Sequence, residues 1–294
     1  MRVTHHMIVD TVLNNLNENL RRLEDSQRQL SSGQRLNQPS DDPPAVERAL
    51  TYRAALNAGE QYLRNIDAAR SWLQASDSAL DSATQALQRA RELAVQGAND
   101  TLGPDQEQAL AAEVDQLLAQ LVALGNSTLR GQYLFAGYST QTAPFTLNAG
   151  PPTTVTYNGD SGAMLREIDV GVTLQINAPG NSFLPAVFTA LINLRDHLRA
   201  GDTTAVRNDL PALDAATDTL LAVRADLGAK LNRLDAAEAQ HQAVQVNTTE
   251  LLSKIADTDY GEAVTQFTTA ELAYKAGLQA GARAMQSNLF DYLR

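Results

Sequence analysis

The sequence predicts a mainly α-helical protein with a small β insert. Long antiparallel helices are nested as a terminal coiled coil plus a helical bundle rod, around a β-rich central domain. Three observations predict this. Apolar residues at both ends of the 294-residue chain recur at alternating spacings of four and three, the period of a coiled-coil seam. The same alternation fills long stretches further in. Between those stretches, residues 131–181 become dense in Gly, Pro, Thr and Asn.

Near the N-terminus the stripe is Val9, Leu13, Leu16, Leu20, Leu23 and Leu30, with Gln27 in the missing slot. Near the C-terminus it is Val264, Phe267, Tyr274, Leu278 and Met285, broken at Glu271 and Gly281. Each stripe is the natural partner of the other, so the ends are expected to run side by side with the middle hung from them. Such an isolated pair buries too little to offset the entropy of ordering it. The ends are therefore expected to be mobile in the free monomer and to order when copies pack together. These eleven residues form the candidate assembly interface.

Ser31-Ser32-Gly33 ends the first helix. After Pro39 comes Ser40-Asp41-Asp42-Pro43-Pro44, where Asp42 suits an N-cap and Pro43 a first helical residue. Asp41 and Asp42 read as helix caps before they read as a cation site. A long helix over 43–97 follows, its seam Ile66, Ala69, Leu73, Ser76, Leu80, Ala83, Leu87, Ala90 and Ala94, with Trp72 at the boundary. Asn99-Asp100 and Gly103-Pro104 turn the chain into a helix carrying Leu110, Val114, Leu117, Leu121 and Leu124, which stops at Gly125-Asn126. So short a connection predicts antiparallel neighbours.

In the insert, β-prone runs occupy 133–136, 153–157, 165–170 and 172–176, and Asn158-Gly159-Asp160-Ser161-Gly162 predicts a hairpin turn. Helix resumes with Leu184, Phe188, Leu191, Leu194 and Leu198 and ends at Gly201-Asp202. A second long helix over 204–255 carries Leu213, Leu220, Leu227, Leu231, Leu234, Leu252 and Ile255, with His241 and Gln245 in polar slots. Asp257-Thr258-Asp259, before Tyr260, repeats the elbow seen after Gly33, and Asp257 and Asp259 are its capping candidates. The expected domains are 1–40 with 256–294, 41–130 with 182–255, and 131–181.

A net charge of −11 argues against a nucleic-acid partner. The absence of cysteine excludes disulfides, thiolate metal sites and thiol nucleophiles. No run of eighteen apolar residues is present, so no membrane insertion is expected. Asn14, Asn15, Asn17 and Glu18 interrupt any signal-peptide core, so export would need a route without a cleaved signal. His5, His6, His197 and His241 form no zinc-binding spacing, and no Gly-rich phosphate loop occurs. The expectation is no enzyme, no cofactor and no metal.

Leu30-Ser31-Ser32-Gly33-Gln34-Arg35-Leu36-Asn37, followed by Asp41-Asp42, resembles the N-terminal signature of bacterial flagellins. Gln88-Arg89-Ala90-Arg91-Glu92-Leu93-Ala94-Val95-Gln96 resembles a flagellin helix segment. Ala225-Asp226-Leu227-Gly228-Ala229-Lys230-Leu231-Asn232-Arg233-Leu234 is similar to the segment on the returning helix, and Tyr292-Leu293-Arg294 fits the C-terminus. Within that family, three features resemble the members that join hook to filament: Pro39-Ser40-Asp41-Asp42-Pro43, Gln132-Tyr133-Leu134-Phe135-Ala136-Gly137, and Tyr157-Asn158-Gly159-Asp160 followed by 177–183. The start also lacks the Ile-Asn-Thr-Asn stretch of filament subunits.

The resemblance implies an extracellular structural protein of the bacterial flagellum, exported unfolded through the flagellar type III apparatus with an uncleaved N-terminus. It implies a homo-oligomeric ring between hook-associated protein 1 and flagellin, and a cytoplasmic export chaperone that shields the C-terminal segment. A flagellin filament subunit is the nearest alternative. A type III-secreted coiled-coil effector is more distant.

Overall fold

The computed structural model describes residues 5–99, 102–148, 150 and 153–292. Asp100, Leu293 and Arg294 lie outside these, as do the side chains of His5, His6 and Met285. Six long helices appear: α1 (His5–Ser32), α2 (Pro43–Gly97), α3 (Pro104–Gly125), α4 (Leu184–Ala200), α5 (Thr203–Ala256) and α6 (Tyr260–Tyr292). Six short strands lie between α3 and α4: β1 (Thr128–Leu129), β2 (Gln132–Tyr133), β3 (Phe145–Asn148), β4 (Thr154–Tyr157), β5 (Leu165–Asp169) and β6 (Val172–Gln175). The chain groups into two compact units, Met1–Ala58 with Ala243–Arg294, and Gly59–Gln242. α2 and α5 contribute to both.

The unit Gly59–Gln242 holds the main hydrophobic core. Every residue of the expected α2 seam, from Ile66 to Ala94, is buried there. Trp72 is 5% exposed, so it packs inside the core rather than at its boundary. Two polar residues on that helix are tolerated because their hydroxyls bond within it: Ser76 donates to Trp72 O at 3.0 Å and Thr84 to Leu80 O at 2.7 Å. In this bundle the backbones of α3 and α4 run close together. α3 meets α2 through side chains, as where Arg89 Nε donates to Glu113 Oε1 at 2.7 Å. Arg195 is buried between helices and pairs with Asp115 and Asp196.

The strands form three separate antiparallel pairs: β1 with β2, β3 with β4, and β5 with β6. Arg130 and Gly131, both at positive φ, make the two-residue turn between β1 and β2. Side chains from the neighbouring helices bond the strand backbone at a few points. Asn126 pairs its amide with both backbone groups of Phe145, at 2.8 and 2.9 Å. Asn65 Nδ2 donates to Glu167 O at 2.9 Å, and His241 Nε2 lies 2.8 Å from Ile168 O. The Phe145 ring sits 5.1 Å from those of Phe188 and Tyr157, which joins β3 and β4 to α4.

The hairpin expected at 158–162 is absent, because β4 and β5 belong to different pairs. The cause is Asp160. Its carboxylate accepts the N–H groups of Tyr138 at 2.8 Å and Gly162 at 2.7 Å, and the Ser139 hydroxyl at 2.8 Å. The segment is thus folded onto the chain after β2 instead of turning back on β4. Burial, followed by the neighbouring Asp160 charge, pushes the Tyr157 phenol up to about 12. Its hydroxyl lies 3.0 Å from Phe135 O and 2.7 Å from Asp160 O, so its single proton is shared between the two carbonyls.

The Tyr138 and Gly162 N–H groups and the Ser139 hydroxyl hold the Asp160 carboxyl below its ordinary value of 3.8. A carboxyl whose pKa is lower folded than unfolded contributes stability above its unfolded pKa and loses it as pH falls through the folded one. The insert is therefore expected to loosen on acidification below that ordinary value. NMR shifts of the Tyr138 and Gly162 amides would follow this step, and Asp160→Asn should remove it. Identical acid profiles for the two proteins would contradict the assignment.

Candidate assembly interface

In the terminal unit, α1 and α6 pack side by side. The less exposed row of α1 is Val9, Val12, Leu16, Asn19, Leu23, Ser26 and Leu30. That of α6 is Ala263, Phe267, Ala270, Tyr274, Gly277 and Gly281. Gly277 and Gly281 bring the backbones together: a Cβ on Gly277 would lie 3.2 Å from Leu16 Cδ2, and one on Gly281 3.0 Å from Val12 Cγ1.

These rows correct the expected seam in one respect. Val9, Leu16, Leu23, Leu30, Phe267 and Tyr274 keep their places. The other heptad position moves back by one residue at three places: Val12 replaces Leu13, Ala263 replaces Val264 and Gly277 replaces Leu278. Leu13, Val264 and Leu278 are consequently 45%, 49% and 45% exposed, while Leu20 is half-buried. Gly281 belongs to the contact instead of breaking it. The physical reason is size: small residues on α6 permit close approach, so the larger side chains turn outward. The sequence signal for this contact is the small residues at heptad spacing in 263–281, Ala263, Ala270 and Gly277, which a stripe of leucines does not reveal.

The contact is not a closed core. Asn19, Ser26 and Gln29 on α1 and Gln266, Thr269 and Ala270 on α6 border an open groove of about 450 Å³. Among the described residues of this unit, Leu36 is the one large apolar side chain that is buried, packed with Ala45, Ala49, Leu252 and Ile255. Leu272, Tyr260 and Val246 join Leu13, Val264 and Leu278 on the exposed surface.

Both elbows follow from local hydrogen-bond chemistry. Gly33 ends α1 at φ +69°, a backbone conformation that strains any residue with a Cβ. Asp41 Oδ2 accepts the N–H groups of Asn37 and Gln38 at 2.9 and 2.8 Å. Asp42 Oδ1 accepts Ala45 N–H at 3.2 Å where α2 starts at Pro43. Asp259 Oδ1 accepts the N–H groups of Gly261 and Glu262 at 2.8 and 3.2 Å, which caps α6. Asp257 does a different job: its backbone forms an antiparallel bridge with Gln34.

Among the described residues, no group of three His, Asp or Glu side chains could hold a metal ion, and no helix is long and apolar enough to cross a membrane. The features on display are capped helix ends and half-covered apolar stripes.

The bacterial flagellin N-terminal helical region matches residues 3–140, and the bacterial flagellin C-terminal helical region matches residues 210–293. This chain belongs to the flagellin family. Flagellar hook-associated protein 3 of Escherichia coli K12 is 28% identical over 291 residues, 90% of each chain. A flagellin of Halalkalibacterium halodurans is 28% identical over 289 residues, 97% of this chain and 96% of that protein. The solved flagellar junction protein FlgL of Legionella pneumophila superposes with a TM-score of 0.60 at 19% identity, over 70% of this chain and 100% of that one, which shows a common fold.

Proposed function

We propose that this protein is the hook–filament junction subunit of a bacterial flagellum. The carrying observation is its match to hook-associated protein 3, which spans 90% of both chains. The geometry supports the same reading. Half-exposed Leu13, Val264 and Leu278 give the terminal helices a second apolar face beyond their mutual contact. A junction needs terminal helices that pack with copies of themselves and with related neighbours. In this reading the neighbours are hook-associated protein 1 below and flagellin above, and the subunits form a ring in the extracellular axial structure. The chain reaches that place through the flagellar type III export apparatus, accompanied in the cytoplasm by a chaperone on its C-terminal segment. Its role is architectural and needs no catalytic group.

Deletion of the coding sequence should leave hooks intact on the cell and filaments detached in the medium, as seen by electron microscopy, with complementation restoring attachment. Filaments still seated on hooks in the deletion strain would overturn the proposal. A filament subunit is the competing reading, because the flagellin relative is equally identical. That reading requires the purified chain to polymerise into long filaments by itself, which a junction subunit does not do.

A further inference from the structure

The two elbows are tied to each other. Arg35 N–H donates to Ala256 O at 2.7 Å, and Thr258 N–H donates to Gly33 O at 3.0 Å, on either side of the Gln34–Asp257 bridge. Two such bonds on exposed chain are marginal without support. The support comes from the Arg35 side chain. Its Nε and Nη2 donate to Ile255 O at 3.1 and 2.8 Å, and its Nη1 donates to Asp42 Oδ2 at 3.4 Å. Ile255 lies in the last turn of α5, where carbonyls lack helical partners and the helix dipole favours a cation. Asp42 is at the same time the cap of α2. One residue therefore holds the C-terminus of α5 with both its backbone and its side chain, and the N-cap of α2 with its side chain, while two residues before it Gly33 O accepts Thr258 N–H on the way into α6. Arg35 sits three residues beyond the end of α1.

We propose that Arg35 is a positioning residue that locks both elbows into one unit, so that α1 and α6 take up their paired arrangement together. The forked guanidinium is essential to this, since a lysine offers one point charge and cannot hold the Ile255 carbonyl with two donors while also reaching Asp42. The contacts join residues 220 positions apart, so the loop-closure cost is met once for both elbows. Releasing one elbow then releases the other. The proposal deepens the junction reading only in treating the terminal helices as the assembling elements. Its measurement is made on the monomer.

In full-length Arg35→Ala, the backbone amides of residue 35 and Thr258 should exchange with solvent faster together, by about tenfold or more. Arg35→Lys should fall between that variant and the parent. Gln34→Cys with Asp257→Cys supplies a second, independent measurement. Flanked by its two hydrogen bonds, the bridge is a non-hydrogen-bonded pair with Cα atoms about 4.5 Å apart. That lies within the disulfide range of roughly 4.4–6.8 Å. The chain has no other cysteine to interfere. Oxidised with glutathione disulfide, this variant should exchange more slowly in α1 and α6 alike, and should restore Thr258 protection in the Arg35→Ala background. A Thr258 amide still protected in Arg35→Ala would overturn the proposal, as would a cross-link that slows one terminal helix and not the other. Should the junction reading fail instead, these exchange results stand and only the deletion phenotype is missing.

Discussion

Leu278→Asp is expected to leave the isolated chain folded as before and to abolish its incorporation into flagella. Leu278 is 45% exposed and stands outside the row of α6 that abuts α1. A new carboxylate there stays in water in the monomer and costs little. In an assembly that covers this face, the same carboxylate is desolvated without a partner, which costs several kcal/mol. Leu16→Asp behaves differently. Leu16 lies against Gly277 and Gly281 within the chain, so the substitution loosens α1 from α6 before any assembly begins. Comparing hydrogen exchange in the monomer with yield in sheared flagella separates the two effects. In the parent monomer, α1 should exchange faster than α2 but more slowly than in Leu16→Asp, and gain strong protection only in assembled flagella, because its contact with α6 includes an open groove and, among the described residues, no large buried side chain. Normal yield of flagella carrying Leu278→Asp would remove the outward face from the account. Strong protection of α1 in the free monomer would remove ordering on assembly.

How much of this was readable in the sequence depended on what each residue packs against. The α2 seam was legible throughout, because Ile66, Leu73, Leu80 and Leu87 are buried by the chain's own core and their spacing reports that directly. The caps at Asp42 and Asp259 were legible because capping is decided within three residues. The terminal register was half legible. Leu13 and Leu278 carry a seam pattern whether they face their own partner helix or a neighbouring subunit, and spacing alone does not separate the two. The small residues that make the internal contact, Ala263, Ala270 and Gly277, carry little hydrophobic signal. Strand pairing in the insert was the least legible. Asp160 reaches back to Tyr138 and Ser139, more than twenty residues earlier, so a turn-forming sequence there folds into an anchored loop. Arg35 was visible as part of the flagellin-like signature, but its partners lie at the far end of the chain.

The insert offers the second large effect, at Gly137. Gly137 has φ +71°, and a Cβ built on it would lie 2.2 Å from Asp160 Oδ1 and 2.3 Å from the Asp160 backbone oxygen. The side-chain clash could relax by rotation, but the backbone clash cannot. Gly137→Ala must therefore displace Asp160 from the Tyr138, Ser139 and Gly162 groups it binds. A left-handed conformation alone costs a non-glycine residue about 1–2 kcal/mol, and the forced loss of the Asp160 contacts adds to it. The expected result is a fall of about 5 °C or more in melting temperature for a unit of this size. Asp160→Ala removes the bonds without the clash and should fall between Gly137→Ala and the parent. The order matters, because it separates a backbone that demands glycine from a loop that merely uses a carboxylate. Melting of Gly137→Ala at the parent temperature would show that the loop gives way easily. Exchange in α1 and α6 should be untouched in either variant, since those helices belong to the other compact unit. A change there would mean that the insert governs the assembling ends, and the division of labour between the two units would have to be redrawn.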